Sequence, residues 1–373
     1  MSRVRIWDGT TPWLVTRYDD VRAVLSDARF SADASRPGYP VSSEAVKISR
    51  ERGPWFVAMD DPEHARYRRM LTAEFAVRNV ASMRPMVEAT VAELLDGMAA
   101  APQPVDLIEA FALALPSIVV CRILGVPYED SAFWQEQSKA LFDVTSPPDV
   151  GRRADNELRA YLDKLIAEKE RDPGDDLLSR LATTYIRTGE LTRRDAVSMA
   201  LLLLVGGHET TAHMIGLGTL TLLNHPEQAA AVRDGDDATV TSAVEELLRL
   251  LTIVHTGRRR VATEDVEVAG VRIRAGEGVI ASEPSANRDP ALFAEPDNLD
   301  IHRTANHHLA FGFGVHQCLG QPLARLELQV AIPALLRRFP DLRVTAAEHE
   351  LRFRDEMITY GVHELPVTWG SAE

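Results

Sequence analysis

Residues 307–320 read HHLAFGFGVHQCLG. Cys318, one of two cysteines in the chain, lies in a frame of Gly312, Gly314 and Gly320, and an amphipathic stretch from Leu323 to Phe339 follows at once. Closely spaced glycines permit positive φ and let a bulky group lie almost on the main chain. A cysteine just before a helix also sits among unpaired N–H groups at the positive end of the helix dipole, which favours thiolate over thiol. Such a sulfur is suited to an electrophilic partner.

Four chemistries compete for it. A lone intracellular cysteine is commonly a buried structural residue, but the glycine frame and flanking histidines count against that here. A zinc site drawing on His307, His308, His316 and Cys318 lacks the usual paired spacings. A cysteine hydrolase needs a distant histidine and no glycine bed. Ligation of haem iron by one thiolate needs a single cysteine, a flat apolar floor and small residues beneath the macrocycle. Only that reading uses every residue.

Three further constellations carry polar chemistry. Residues 204–211, LVGGHETT, fall inside the longest helical pattern. Two adjacent glycines in a helix interior cost about 1 kcal/mol each relative to alanine, so a compensating purpose is expected, such as the approach of a flat ligand or a small molecule to the backbone. Thr210 can bond back to the Gly206 carbonyl or leave it free and bend the helix, and the plain alternative is a kinked core helix. Glu246 and Arg249 stand three apart on one helix face, a spacing that is common in surface ion pairs. His64 and Arg68 stand four apart. They are either a solvated basic stripe or a grip for an anion, since both donate hydrogen bonds.

The pattern from Phe311 through Gly312, His316 and Cys318 to Gly320 resembles the haem-binding loop of the cytochrome P450 superfamily, the haem-thiolate monooxygenases. The likeness runs nearly end to end, from Trp13 to Leu365, with four motifs in the family's order. It implies haem b with Cys318 as its axial thiolate, whose electron donation favours O–O cleavage. It implies that Gly206, Phe311, Gly312 and Gly320 bed the haem, and that His64, Arg68, His316 and one of Arg258, Arg259 and Arg260 hold its propionates. Arg260 is favoured because the segment it opens looks most like the family's. Glu209 and Thr210 resemble the family's acid–alcohol pair, the hydroxyl holding oxygen and the carboxylate relaying protons from solvent. Glu246 and Arg249 are expected to be buried and joined by Arg303, holding the cysteine loop on the core while haem inserts.

Composition agrees with such a protein. The chain has 373 residues, 45% hydrophobic and 26% charged. No linker, repeat or low-complexity tract divides it, so 1–373 is expected to be one large domain. There is no signal-peptide apolar region, and the apolar run from Met199 to Val205 is far shorter than the roughly 20 residues of a membrane span. Two unmatched cysteines fit a reducing cytoplasm. A net charge of −14 disfavours nucleic acid. No flavin or nicotinamide domain is present, so electrons are expected from a ferredoxin and its reductase, docking on Arg66, Arg69 and Arg325. Family members usually carry a further amino-terminal stretch with a first helix before the segment that begins here at Met1, so part of the access-channel wall is expected to be missing.

Helical patterns dominate: Asp19–Ser26, Glu63–Phe75, Ala81–Ala99, Asp106–Leu124, Phe133–Phe142, Arg152–Arg171, Asp175–Arg187, Thr192–Leu223 and Thr239–Leu251. Strand signals are few: Trp13–Thr16, a hairpin within Val266–Val279 around Arg274–Gly278, Arg343–Thr345 and Leu365–Trp369. The fold class is therefore mainly α with small β-sheets at the margin, as in the cytochrome P450 fold.

The expected function is a monomeric monooxygenase that inserts one atom of dioxygen into an apolar or amphipathic small organic substrate, by hydroxylation or epoxidation. Natural-product tailoring is suggested by analogy. Leu202, Val205, Ile253, Val254 and Ile358 are candidate pocket walls, and specificity in the family lies in the regions matching Pro37–Trp55 and Phe133–Arg171. The alternatives are oxidative coupling or peroxide-driven chemistry at the same haem-thiolate, and a haem-based binding or sensor protein.

Overall fold

The element that spans the molecule is one helix, and its length follows from its caps. In the computed structural model, which describes residues 1–44, 47, 55–304 and 307–370, Thr192 accepts the Asp195 N–H and opens a helix over Arg193–Leu223. In chain order the α-helices are α1 (Tyr18–Ser26), α2 (Glu63–Thr72), α3 (Val77–Ser82), α4 (Arg84–Ala100), α5 (Ala114–Leu124), α6 (Ser131–Phe142), α7 (Pro148–Arg171), α8 (Leu177–Arg180) and α9 (Arg193–Leu223), followed by α10 (Pro226–Asp234), α11 (Asp237–Leu251), α12 (Glu283–Ala286) and α13 (Gln321–Arg338).

Three expected helices are subdivided. The run expected over Ala81–Ala99 becomes α3 and α4, broken at Met83 because Pro85, in the first turn of α4, has no N–H to continue the ladder. The apolar run from Asp106 to Leu124 starts as a strand and a π-turn over Ile108–Ala112 before α5 begins. Asp176 caps α8 by accepting the Ser179 N–H, and a second π-turn over Leu181–Ile186 then replaces the expected continuation to Arg187. Helix α10 carries no strong apolar period and was not expected.

The strands are β1 (Ser2–Arg3), β2 (Trp13–Val15), β3 (Phe30–Ser31), β4 (Val105–Asp106), β5 (Arg258–Ala262), β6 (Val266–Val268), β7 (Val271–Ile273), β8 (Gly278–Ala281), β9 (Arg343–Val344) and β10 (Pro366–Thr368). They form a five-stranded sheet ordered β1-β2-β8-β5-β3, a three-stranded sheet β4-β10-β9 and the β6-β7 ribbon. The hairpin lies elsewhere than expected. It turns at Ala269 and Gly270, whose φ values of 51° and 75° suit a two-residue turn matched to strand twist. Residues 278–281 instead pair with Arg258–Ala262.

Two apolar cores result. The larger packs α9 against α5, α7 and α13 around Phe111, Leu115 and Trp134. The smaller joins α1, β2 and β8 through Val21, Leu25 and Val279 and includes Leu309, at the start of the Cys318 loop. The loop thus lies between a helical core and a β-rich one. Among the described residues no helix is long and apolar enough to cross a membrane. Part of the expected specificity region, residues 45, 46 and 48–54, lies outside the described residues.

Candidate active site

The Cys318 loop closes on itself by backbone bonds. The Cys318 N–H donates to the Phe311 carbonyl at 2.8 Å, and Gly312 and Gly314 take φ of 72° and 74°. Gly314 is required twice over: a Cβ there would also lie 2.7 Å from the Leu25 carbonyl oxygen of α1. Helix α13 begins immediately after the loop, with Gly320 at its cap. The Gly320 N–H donates to the Cys318 sulfur, and Arg258, Arg68 and Arg325 add positive potential. Burial outweighs them and pushes the thiol up from its ordinary value. The helix end and the three arginines act in the direction expected of the loop, against burial.

The cavity reached by Cys318 measures about 380 Å³. Around it lie arginines and two buried imidazoles. His64, 1% exposed, gives Nδ1 to Asp61 at 3.0 Å and leaves Nε2 buried without a partner. The ring of His316 lies 4.0 Å from it, tilted by 38°, and its Nδ1 is likewise buried and unpartnered. Arg68 donates to the Gln317 carbonyl at 2.7 Å, beside the cysteine. Arg260 is buried, and it lowers both imidazoles together with Arg68. Burial is the first cause in each ring, and His316 falls to about 3. Of its neighbours on β5, Arg258 is tied to buried Glu283 at 2.8 Å. This is a site short of anions. Together with a sulfur and glycine-lined walls it fits a flat, carboxylate-bearing metal cofactor. Among the described residues no group of three or more His, Cys, Asp or Glu could hold a metal ion by itself, so the zinc alternative has no ligand set there.

On α9, Gly206 and Gly207 do different things. A Cβ on Gly206 meets nothing within 4 Å and would enter the cavity, whereas one on Gly207 would lie 3.0 Å from Val120 of α5. The first keeps space open and the second lets two helices approach. Thr210 lines the cavity and donates to the Gly206 carbonyl at 2.9 Å. Glu209 also lines it but is only 6% exposed, and its Oε1 accepts from Arg354 at 3.4 Å. The carboxylate therefore has a partner from a distant segment, Arg354, a residue with no sequence signal.

The ion cluster comes together over three segments. Arg249 and Glu246, both fully buried, make two parallel bonds of 2.8 Å, and Arg303 reaches the same carboxylate at 3.1 Å. Arg249 also donates to the carbonyls of Asn287 and Pro296. The Asn287 side chain accepts the Leu309 N–H at 2.6 Å, linking the cluster to the loop. A second tie was not foreseen. Glu245 accepts from His308 of the loop at 3.0 Å and from Arg325 of α13 at 2.6 and 2.9 Å. Arg325 also lies 4.6 Å over the Phe311 ring. The guanidinium expected in a docking patch is thus engaged with Glu245 within the chain. Arg66 and Arg69 of α2 are exposed.

Leu202, Val205, Ile253, Val254 and Ile358 all line the cavity. They are joined by Trp55 and Phe142, from the two expected specificity regions, and by Val120 and Thr359.

Comparison with known proteins agrees with this geometry. The cytochrome P450 family model matches residues 2–352. Cytochrome P450-SU2 of Streptomyces griseolus is 52% identical, covering 99% of this chain and 90% of that protein. Pentalenic acid synthase of Streptomyces avermitilis is 48% identical over 99% and 91%. The crystal structure of the mycinamicin VIII C21 methyl hydroxylase MycCI from Micromonospora griseorubida, bound to mycinamicin VIII, superposes with a TM-score of 0.94 at 42% identity, covering 99% and 93%.

Two stability tests follow from the ties. Glu246→Ala leaves two buried guanidinium groups unpaired and is expected to cost about 3–5 kcal/mol, read as a lower urea midpoint; a loss under about 1 kcal/mol would show that the cluster does not hold the loop. For Glu245, burial works to raise the carboxyl, but the bonds and charges of His308 and Arg325 prevail and hold it at about 2, below the ordinary 4.5. A depressed carboxylate adds stability that is complete above the ordinary value and is lost as pH falls towards the folded one. Glu245→Gln should therefore flatten the acid limb of stability between about pH 4.5 and 2. An acid limb of unchanged slope there would count against the tie.

Proposed function

The chain belongs to the cytochrome P450 family of haem-thiolate monooxygenases, and on that premise we propose that it inserts one atom of dioxygen into an apolar or amphipathic natural-product skeleton, by hydroxylation or epoxidation, with electrons from a ferredoxin and its reductase. The observation that carries this is one cavity lined both by Cys318 and by Gly206, Glu209 and Thr210.

Cys318 would hold the iron of haem b through its sulfur, and His64, Arg68, Arg260 and His316 would lie against its propionates. Haem bound there supplies the iron at which dioxygen is activated, and thiolate donation favours O–O cleavage. Thr210 Oγ1, which donates to the Gly206 carbonyl, would turn that hydrogen bond into the cavity, and Glu209 would supply protons through it. Leu202, Val205, Ile253, Val254 and Ile358 would orient the substrate and exclude water. The mycinamicin hydroxylase and pentalenic acid synthase support a natural-product substrate. Both cysteines are free thiols, and we place the protein in the cytoplasm as a monomer. Ferredoxin would dock on the exposed side of α2, where Arg66 and Arg69 flank the residues that grip the cofactor.

The test is ferredoxin-dependent incorporation of labelled dioxygen into a compound first identified by spectral titration. Thr210→Ala should lower product per electron pair by roughly an order of magnitude or more, with peroxide released in its place; retained coupling would remove Thr210 from the mechanism. Reversing the charges of Arg66 and Arg69 should raise the apparent KM for ferredoxin at low salt and leave kcat nearly unchanged. An unmoved KM would place docking elsewhere.

A further inference from the structure

Arg354 makes two contacts that no step of the reaction uses. Its Nη2 lies 3.4 Å from Glu209 Oε1, and its Nη1 lies 2.5 Å from His213 Nε2. His213 stands one turn beyond Glu209 on α9, so both face the same side. A guanidinium has donors only, so the facing imidazole nitrogen must accept. The His213 proton then sits on Nδ1, which is buried without a partner. Burial first, and the Arg354 charge second, keep this imidazole neutral, with His208 and His363 acting in the same direction. His208 is the other titratable group beside Glu209.

The guanidinium is therefore shared between one anion and one neutral acceptor. Its place is set from outside α9. The Arg354 N–H donates to the Gly361 carbonyl at 2.9 Å, and Phe353 pairs with Val362. Gly361 lies so close to His213 that a Cβ would come 2.6 Å from the ring. Between these paired residues the chain carries Ile358 and Thr359 into the cavity wall, and the Tyr360 N–H donates to the Ile253 carbonyl at 2.7 Å.

We propose that Arg354 and His213 are positioning residues for the reaction: Arg354 holds the Glu209 carboxylate towards the carboxy-terminal segment, and His213 draws the guanidinium partly off it, so that together they set how readily Glu209 serves Thr210. The proposal rests on Glu209 and Thr210 being the proton-handling pair. Removing either partner shifts the balance in opposite senses. Without Arg354 the carboxylate is released, and without His213 the guanidinium turns fully onto it.

The experiment compares the holoenzyme with Arg354→Gln, Arg354→Lys, His213→Leu and Glu209→Gln. The first readout is the infrared carboxylate band of Glu209, assigned by its loss in Glu209→Gln; the others are peroxide released per electron pair and the solvent deuterium isotope effect on turnover. Arg354→Gln should shift the band and raise peroxide several-fold, with Arg354→Lys restoring both. His213→Leu should slow turnover several-fold and enlarge the isotope effect. An unmoved band in Arg354→Gln, or the same direction of change in the Arg354→Gln and His213→Leu variants, would overturn the proposal. If Arg354→Gln does not fold with haem, the band, turnover and isotope effect of His213→Leu decide, an unmoved band and isotope effect there overturning the proposal. Wild-type coupling and isotope effect in Glu209→Gln would instead defeat the proton-handling assignment itself, whatever the other variants do.

Discussion

Glu246 is a carboxylate with no access to water, and a charge in that position persists only when its surroundings replace the solvent it has lost. Two guanidinium groups and the Asp300 N–H do so here. Each guanidinium in turn spends its remaining donors on carbonyls of residues 287–298. The set is complete only when that segment lies against α11. The Leu309 N–H, held by Asn287, then places the start of the cysteine loop. Glu245, the adjacent residue on the same helix, also holds that start through His308 and the first turns of α13 through Arg325. Two neighbouring carboxylates thus position the sulfur without touching it.

The site they support is electrostatically divided. On one side arginines gather around the imidazoles of His64 and His316, whose ring nitrogens include two without partners, in a protein whose net charge is −14. That local reversal against the global sign is what a dianionic cofactor edge would balance. On the other side, α9 brings an acid, a hydroxyl and a backbone carbonyl to an otherwise apolar cavity. There the single nearby guanidinium, Arg354, comes from a distant segment, so the acid does not stand alone as its sequence neighbours suggest.

Much of this was legible in the chain. The glycine frame announces Cys318 because few other uses need three such residues around one sulfur. The long apolar period of α9 was readable with its polar interruption, and the pairing of Glu246 with Arg249 follows from helical spacing. Element boundaries were less so. Pro85 divides one helix, π-turns interrupt two more, and positive φ at Ala269 moves a hairpin by several residues, because local backbone geometry overrides the apolar pattern. Arg325 looked like a surface charge; only its neighbours in space show that it is engaged.

By itself the sequence determined the side chains available: a cysteine among glycines, an acid and a hydroxyl adjacent on one helix turn, and a histidine and an arginine four residues apart. These are short-range facts, set by the spacing of residues along one helix or loop. The tertiary structure decided which charges are free and which are spent. Arg354 meets Glu209 across 145 residues, Arg325 meets Glu245 across 80, and Gly207 packs against Val120. Such pairings depend on how helices cross and where loops return, and no periodicity along the chain encodes a partner that lies a hundred residues away.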